Sequence, residues 1–391
     1  MLPYWRLSAY YFFYFAFIGA FSPYFTLYLK SLHFSAWDIG VLISLMQAMR
    51  LLAPNLWGWL ADRLGAKMPI VRGAALMSIA GFSCFFFAQS FAGFFLGMAL
   101  LAFFWSAALP LIEALTFSHL GPQASRYGAI RLWGSLGFIV AVLGLGWLLE
   151  RLPVSATLWV SLGMLFGILA CAMVLPDKGH NRHEADRLPI ADILRRREVK
   201  ALFAACFFMA AAHGALYAFY SIHLVGRGYG PSMVGFLWTL GVVAEIIVFF
   251  YLPRLLRIFS LRSILLFSFA CAVLRFLAIG WGAAWLALLI AAQLLHAATF
   301  GAYHAAAVAA VNRWFAGRHQ ARGQAIYGSV SFGAGGMLGS LASGWSWDLV
   351  GAEMSFTISA VFALAGLFVL WHGWRAAADQ RPPGLSPQDS I

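Results

Sequence analysis

The chain has 391 residues, 62% of them hydrophobic and only 10% charged, and its mean hydropathy is +0.82. No water-soluble core absorbs that much apolar surface, so a multispanning membrane protein is expected in place of a soluble enzyme or binding module. The formal charge of +12 would suggest nucleic acid in a soluble protein, but here the basic residues fall in short loops, where membrane topology accounts for them without a nucleic-acid partner.

The apolar runs are continuous and lack period-2 alternation, which predicts helices and not a barrel. At ~20 residues per span plus short loops, the length holds about twelve of them. They are predicted near 8–30, 38–60, 70–91, 93–119, 126–149, 154–175, 199–224, 231–253, 261–281, 283–312, 323–346 and 352–374. The first run is too long for a signal-peptide core. Cys84, Cys171, Cys206 and Cys271 all lie inside apolar runs, with no disulfide framework and no metal spacing.

Loop charge alternates along the chain. One set carries Arg63, Lys67 and Arg72, then Arg126, Arg195-Arg196-Arg197 with Lys200, Arg254, Arg257 and Arg262, and finally Arg313, Arg318 and Arg322. The other set holds little beyond Lys30, Arg151 and Arg227. The positive-inside rule then predicts a multi-pass protein of the cell (inner) membrane with both termini cytoplasmic. The long polar segment near the midpoint, 176–198, reads as a cytoplasmic linker with a short surface helix around 189–197. Its His180 and His183 do not read as a metal site. Expected domains are therefore a six-helix bundle over 1–175, the linker 176–198, a second six-helix bundle over 199–375, and a disordered cytoplasmic tail over 376–391.

The halves repeat. A shift of 195 lays Gly19-Ala20 on Gly214-Ala215, Leu29 on Leu224 and Gly40 on Gly235. A shift of 196 lays Arg126 on Arg322, Ala129-Ile130 on Ala325-Ile326, Ser135 on Ser331 and Gly137 on Gly333. Parallel six-span repeats suit a protein whose halves rock about a site at their interface.

Ionisable residues inside membrane spans are costly, and they mark cavities or partners. The spans contain Arg50, Glu113, Arg131, Glu245 and Arg275, with His213, His296 and His304. Glu113 and Arg131 lie at similar distances before and after the Gly121-Pro122 turn, so two antiparallel helices bring them to similar depth. The pair reads either as a structural clamp or as a solute site, and the second is expected, because Trp133, Ser135 and Phe138 lie near Arg131. Arg50 is expected to face the cavity, and Tyr24 is among the aromatic residues placed near it. Glu245 is the carboxylate best suited to carry a proton, with Arg275 nearby to modulate it, and His296 can change charge near neutral pH. His296 and His304 are eight apart, which is not a metal motif.

After the second span the chain reads Gly58-Trp59-Leu60-Ala61-Asp62-Arg63-Leu64-Gly65-Ala66-Lys67. This resembles the G-x-x-x-D-R-x-G-[RK]-[RK] loop of the major facilitator superfamily, with Ala66 in place of one basic residue. Asp62 can cap a helix or pair with a cation, and Gly58 and Gly65 would allow close helix approach. The resemblance implies that Gly58, Asp62, Arg63, Gly65 and Lys67 gate the transport cycle. Phe17-Ile18-Gly19-Ala20-Phe21-Ser22-Pro23-Tyr24-Phe25, Leu111-Ile112-Glu113-Ala114, Tyr127-Gly128-Ala129-Ile130-Arg131-Leu132-Trp133-Gly134-Ser135, Arg275 and Leu294-Leu295-His296 resemble the lactose permease, nucleoside–proton symporter and phenylpropionate permease group. The resemblance implies that Glu113, Arg131 and Phe138 meet the solute, and that Arg275 and His296 belong to proton coupling. It is broken at Thr299, where lactose permease has its proton-coupling glutamate, and at Gln293, where it has a lysine.

The expected fold is thus an all-α membrane protein of twelve transmembrane helices in two six-helix pseudo-repeats. The expected function is proton-coupled import of a small organic solute, a sugar, nucleoside or aromatic acid, by alternating access. A uniporter or a drug or metabolite exporter of the same fold stays open, as does, more remotely, a transporter-like sensor. No Ser/His/Asp, H-E-x-x-H or carboxylate cluster suggests an enzyme. The expected partners are the solute, protons and the lipid bilayer around a monomer, with no metal and no cofactor.

Overall fold

A computed structural model describes residues 2–178 and 190–374. The central part of the linker, with its two histidines, and the tail beyond Trp374 lie outside the described residues. Among those residues the chain is helical and has no strand.

Ten helical stretches are long and apolar enough to cross a bilayer. Two of them, Phe91–Leu148 and Gln320–Gly373, run 58 and 54 residues, about twice what one crossing needs. The first is interrupted by a 3-10 turn at Gly121–Arg126, where Gly121 has φ +52°. The second is broken at Gly351, with φ +85°, a conformation that favours glycine. Each therefore counts as two spans, which gives twelve.

In chain order, spans 1 to 6 are Tyr4–Ser31, Ala36–Leu64, Met68–Ser83, Phe91–Leu120, Tyr127–Leu148 and Ala156–Val174. The short helix Ala191–Arg195 follows at the end of the linker, with Ile190 buried before it. Spans 7 to 10 are Arg197–Gly226, Pro231–Ile258, Leu261–Gly282 and Leu286–Trp314. Spans 11 and 12 are 320–350 and 352–373. Local chemistry sets several ends. Ser35 and Asp38 form a reciprocal capping box on span 2, Ser90 and Ser260 cap spans 4 and 9, and Pro231 opens span 8.

Three spans depart from regular helix. Span 7 is interrupted at His213, and spans 10 and 11 contain π-helical segments at Ala297–Ala302 and Ser329–Gly335. All three irregularities lie in the second half beside the central cavity, where wide turns commonly mark functional sites.

In lipid, helices associate by close packing more than by the hydrophobic effect, and small residues permit it. A Cβ on Gly19 would strike the backbone of Phe138, joining span 1 to span 5. A Cβ on its repeat partner Gly214 would strike the backbone of Gly339, joining span 7 to span 11. The repeat read from sequence therefore recurs as equivalent helix crossings. Between the halves, span 2 packs on span 11, span 5 on span 8 and span 1 on span 7.

Candidate functional site

A cavity of about 320 Å³ lies between the halves. From the first half it is lined by Phe15, Phe21, Gln47, Arg50, Trp105, Arg131, Ser135 and Phe138. From the second half come His213, Tyr217, Trp238, Glu245, Arg275, His296, Thr299 and Phe332. It thus gathers residues from spans 1, 2, 4, 5, 7, 8, 9, 10 and 11, and every intramembrane charge singled out from sequence except Glu113.

On the first-half wall, the Arg131 guanidinium lies 3.8 Å from the centre of the Phe15 ring. A cation over an aromatic face is held there by the ring quadrupole and keeps its outer N–H groups available. Arg50 lies 5.8 Å from the Phe332 ring, across the interface between halves. Phe138 follows Arg131 on the same side of span 5, held by the Gly19 crossing. Trp105 is fixed by stacking on Tyr14, with ring centres 4.7 Å apart.

The second-half wall contains two polar constellations. His296 Nε2 lies 3.5 Å from Glu245 Oε2, and Phe300 stacks on the imidazole at 5.3 Å. Arg275, only 1% exposed, donates from Nε to the Ala292 carbonyl at 3.0 Å. It also donates to Thr299 Oγ1 at 3.0 Å and to Gln293 Oε1 at 3.3 Å. His213 Nε2 stands 3.5 Å from the same guanidinium. Thr299 and Gln293, the two positions that break the resemblance, are therefore the side chains that hold Arg275. Neutral oxygens of span 10 do this work, and Glu245 on span 8 is the acidic residue in the lining.

Three sequence expectations are corrected. Glu113 does not line the cavity and makes no ion pair with Arg131 among the described residues. It accepts a hydrogen bond from Tyr127 Oη at 3.0 Å, in a recess where Tyr11 meets Thr116 and Phe117 stacks on Tyr127. Similar depth on neighbouring helices did not fix rotation about each axis, and the two side chains take different partners, Tyr127 for Glu113 and the Phe15 ring for Arg131. Tyr24, expected at the solute, is fully buried one wall away. Its hydroxyl donates to the Val142 carbonyl at 2.8 Å and lies 3.2 Å from the Pro231 carbonyl, at the crossing of spans 5 and 8. Gly58 and Gly65 do not mediate close helix approach, because a Cβ on either would meet nothing within 4 Å. Gly58 borders a crevice of about 180 Å³ between spans 2 and 4, and Gly65 ends span 2 with φ +65°.

The rest of that loop is organised. Arg63 lies over Trp59 at 5.5 Å, and the backbone N–H groups of Lys67 and Met68 donate to Asp177 Oδ2 at 3.1 and 3.0 Å. Asp177 thereby caps the start of span 3 from the end of span 6. Asp62 borders the same crevice as Gly58.

Sequence reasoning did not single out Gln47 as a lining residue. Gln47 Oε1, with the indole N–H of Trp105, has no hydrogen-bond partner among the described residues. A glutamine in an apolar span was the available signal.

Known proteins agree with this architecture. The chain is 30% identical over 366 residues to the probable 3-phenylpropionic acid transporter of Escherichia coli, covering 92% of this chain and 95% of that one. It is 26% identical over 379 residues to the maltose permease of Geobacillus stearothermophilus, covering 95% of each. Among solved structures, a variant of the nucleoside transporter NupG superposes with a TM-score of 0.85 at 16% identity, over 95% of this chain and 100% of the other. The family model described as the MFS_1 like family matches residues 4–358. With twelve spans in two repeats around a central cavity, the chain belongs to the major facilitator superfamily, within its MFS_1-like family.

Proposed function

We propose that the protein is a proton-coupled importer of a small organic anion with a flat apolar body, working by alternating access. One observation carries this reading. Arg50 and Arg131 both border the cavity against aromatic rings, and neither guanidinium has a carboxylate within ion-pair distance among the described residues. Two cations beside a largely apolar cavity favour an anion, and Arg131 offers the planar fork that suits a carboxylate. Phe15, Phe138 and Trp105 supply flat surface for a ring. The name of the Escherichia coli relative is consistent with an aromatic acid.

Coupling is assigned to Glu245 and His296. A carboxylate and an imidazole 3.5 Å apart can share one proton, so proton binding and release there change the charge facing the solute. Arg275 orients span 10 beneath the pair and supplies a fixed positive field.

A second reading has its own support. Gln47 Oε1 and Trp105 Nε1 are buried hydrogen-bonding atoms that a hydroxylated neutral solute, a sugar or nucleoside, would satisfy. Uptake into liposomes separates the two. An inward proton gradient should drive accumulation of an aryl-alkanoic acid and leave maltose and a nucleoside at background. Accumulation of either neutral solute without the acid would replace the first reading by the second.

A further inference from the structure

At the end of the bundle opposite the basic loops, a five-residue pattern occurs twice. Span 5 ends in Gly146-Trp147-Leu148-Leu149-Glu150, and span 11 ends in Gly344-Trp345-Ser346-Trp347-Asp348. The offset between them is 198, two more than that relating Gly137 to Gly333. The change of register falls between Gly333 and Gly344, at and just beyond the end of the π-helical segment Ser329–Gly335 of span 11.

The two copies make the same kind of contact, each reaching into the other half. Gly344 meets Gly40, where a Cβ on either glycine would strike the other helix's backbone. One turn further, Asp348 Oδ2 accepts a hydrogen bond from the backbone N–H of Ala36 at 2.8 Å. Ala36 is the first residue of span 2. In the other copy, a Cβ on Gly146 would strike the Pro231 carbonyl, and Glu150 Oε1 accepts from the backbone N–H of Ser232 at 2.9 Å. Ser232 is the second residue of span 8. Gly230 leaves space for that carboxylate, because a Cβ there would overlap it. The glycine thus brings each helix pair together, and the acid four residues later lands on the first turn of the facing helix.

The first N–H groups of a helix have no partner within it, and the helix dipole favours negative charge there. Both carboxylates are exposed, and both contacts cross between halves. When this end opens, the acids and the helix starts separate and are hydrated apart, so the interaction favours the closed arrangement and adds little to the stability of either half.

We propose that Glu150 and Asp348 are a reciprocal pair of latches, positioning residues that bias the transport cycle toward closure at this end. The proposal requires only that the halves separate here during the cycle. It does not depend on which solute moves or on whether a proton accompanies it.

The test is a distance measurement on purified full-length protein with Cys84, Cys171, Cys206 and Cys271 replaced. Spin labels at Leu152→Cys and Val350→Cys report the separation of the halves at this end by pulsed dipolar spectroscopy. Glu150→Ala and Asp348→Ala should each raise the ratio of separated to closed molecules about two- to five-fold, and together by about the product. Glu150→Gln and Asp348→Asn, which keep an acceptor oxygen, should shift it less. Ser232→Pro removes the donor at a position where proline is tolerated. It also removes the 3.4 Å hydrogen bond from Ser232 Oγ to the Gly146 carbonyl, so it should shift the ratio at least as far as Glu150→Ala, and adding Glu150→Ala to it should change nothing further. Glu353→Ala breaks the Arg227–Glu353 ion pair, which joins two segments of the second half at the same end, and should leave the distances unchanged. Distances unaltered in both alanine variants, or shifted as much by Glu353→Ala, would overturn the proposal.

Discussion

His296 Nε2 approaches Glu245 Oε2 to 3.5 Å, in the wall of the cavity facing Arg131. Glu245 comes from span 8 and His296 from the residue before the π-helical turn of span 10. Their contact therefore joins two helices of one half, and a change in its protonation alters both the local charge and the tie between those helices. Arg275 meanwhile is held by Ala292, Gln293 and Thr299, which ties span 10 to span 9. Glu245 and Arg275, the two fixed-charge residues of this wall, are thus held by different partners.

Removing the Glu245 charge should separate exchange from accumulation. In Glu245→Gln, solute counterflow is expected to continue while accumulation driven by a proton gradient falls to the level of passive equilibration. The two fluxes are measured on the same liposomes. Uphill transport that survives would move the coupling role from Glu245 to His296.

Arg131 and Glu113 should differ in their effect on binding. Arg131→Lys replaces the fork with a point charge and is expected to weaken binding of a carboxylate solute by ~1.5–3 kcal/mol, about ten- to a hundred-fold in Kd. Glu113→Gln preserves an acceptor for Tyr127 and is expected to cost less than ~1 kcal/mol. Calorimetry on folded protein checks both, and equal losses in the two variants would place Glu113 at the solute after all.

Much of this arrangement was legible in the sequence, and the exceptions have physical causes. Spans follow from apolar run length; the first long stretch divides at the Gly121-Pro122 turn read in the sequence, and the second at the break that the structure shows at Gly351. Arg50, Arg131, Glu245, Arg275 and His296 were found because a charge or an imidazole in a span has few tolerable places other than a cavity. Depth along a helix was readable for Glu113, but its rotation was not, since that depends on packing. Tyr24 was misplaced for a related reason: an aromatic ring is compatible with solute, lipid or a helix crossing. The π-helical turns have no composition signal, and Glu150 and Asp348 look like ordinary loop-proximal acids until the facing helix starts are in view.

Asp62 lies away from the cavity, beside the crevice between spans 2 and 4. Asp62→Asn is therefore expected to slow interconversion between the two access states and to leave solute affinity roughly unchanged. Comparison of exchange rate with equilibrium binding decides it, and collapse of binding in a folded variant would contradict a gating role.

Orientation is testable at two exposed positions. A cysteine at Leu152 should react with an impermeant thiol reagent added to intact cells, and one at Arg126 should react only after permeabilisation, as the loop charges demand. The opposite pattern would invert the topology and the expected direction of coupling.

The most direct measurement of the central claim is simultaneous recording of solute and protons in one liposome preparation. With no imposed gradient, adding an aryl-alkanoic acid outside should cause alkalinisation of the external medium as the solute enters, and Glu245→Gln should abolish the pH change. Solute entry at an undiminished rate with no proton movement in the parent protein would contradict proton coupling and leave a uniporter in its place.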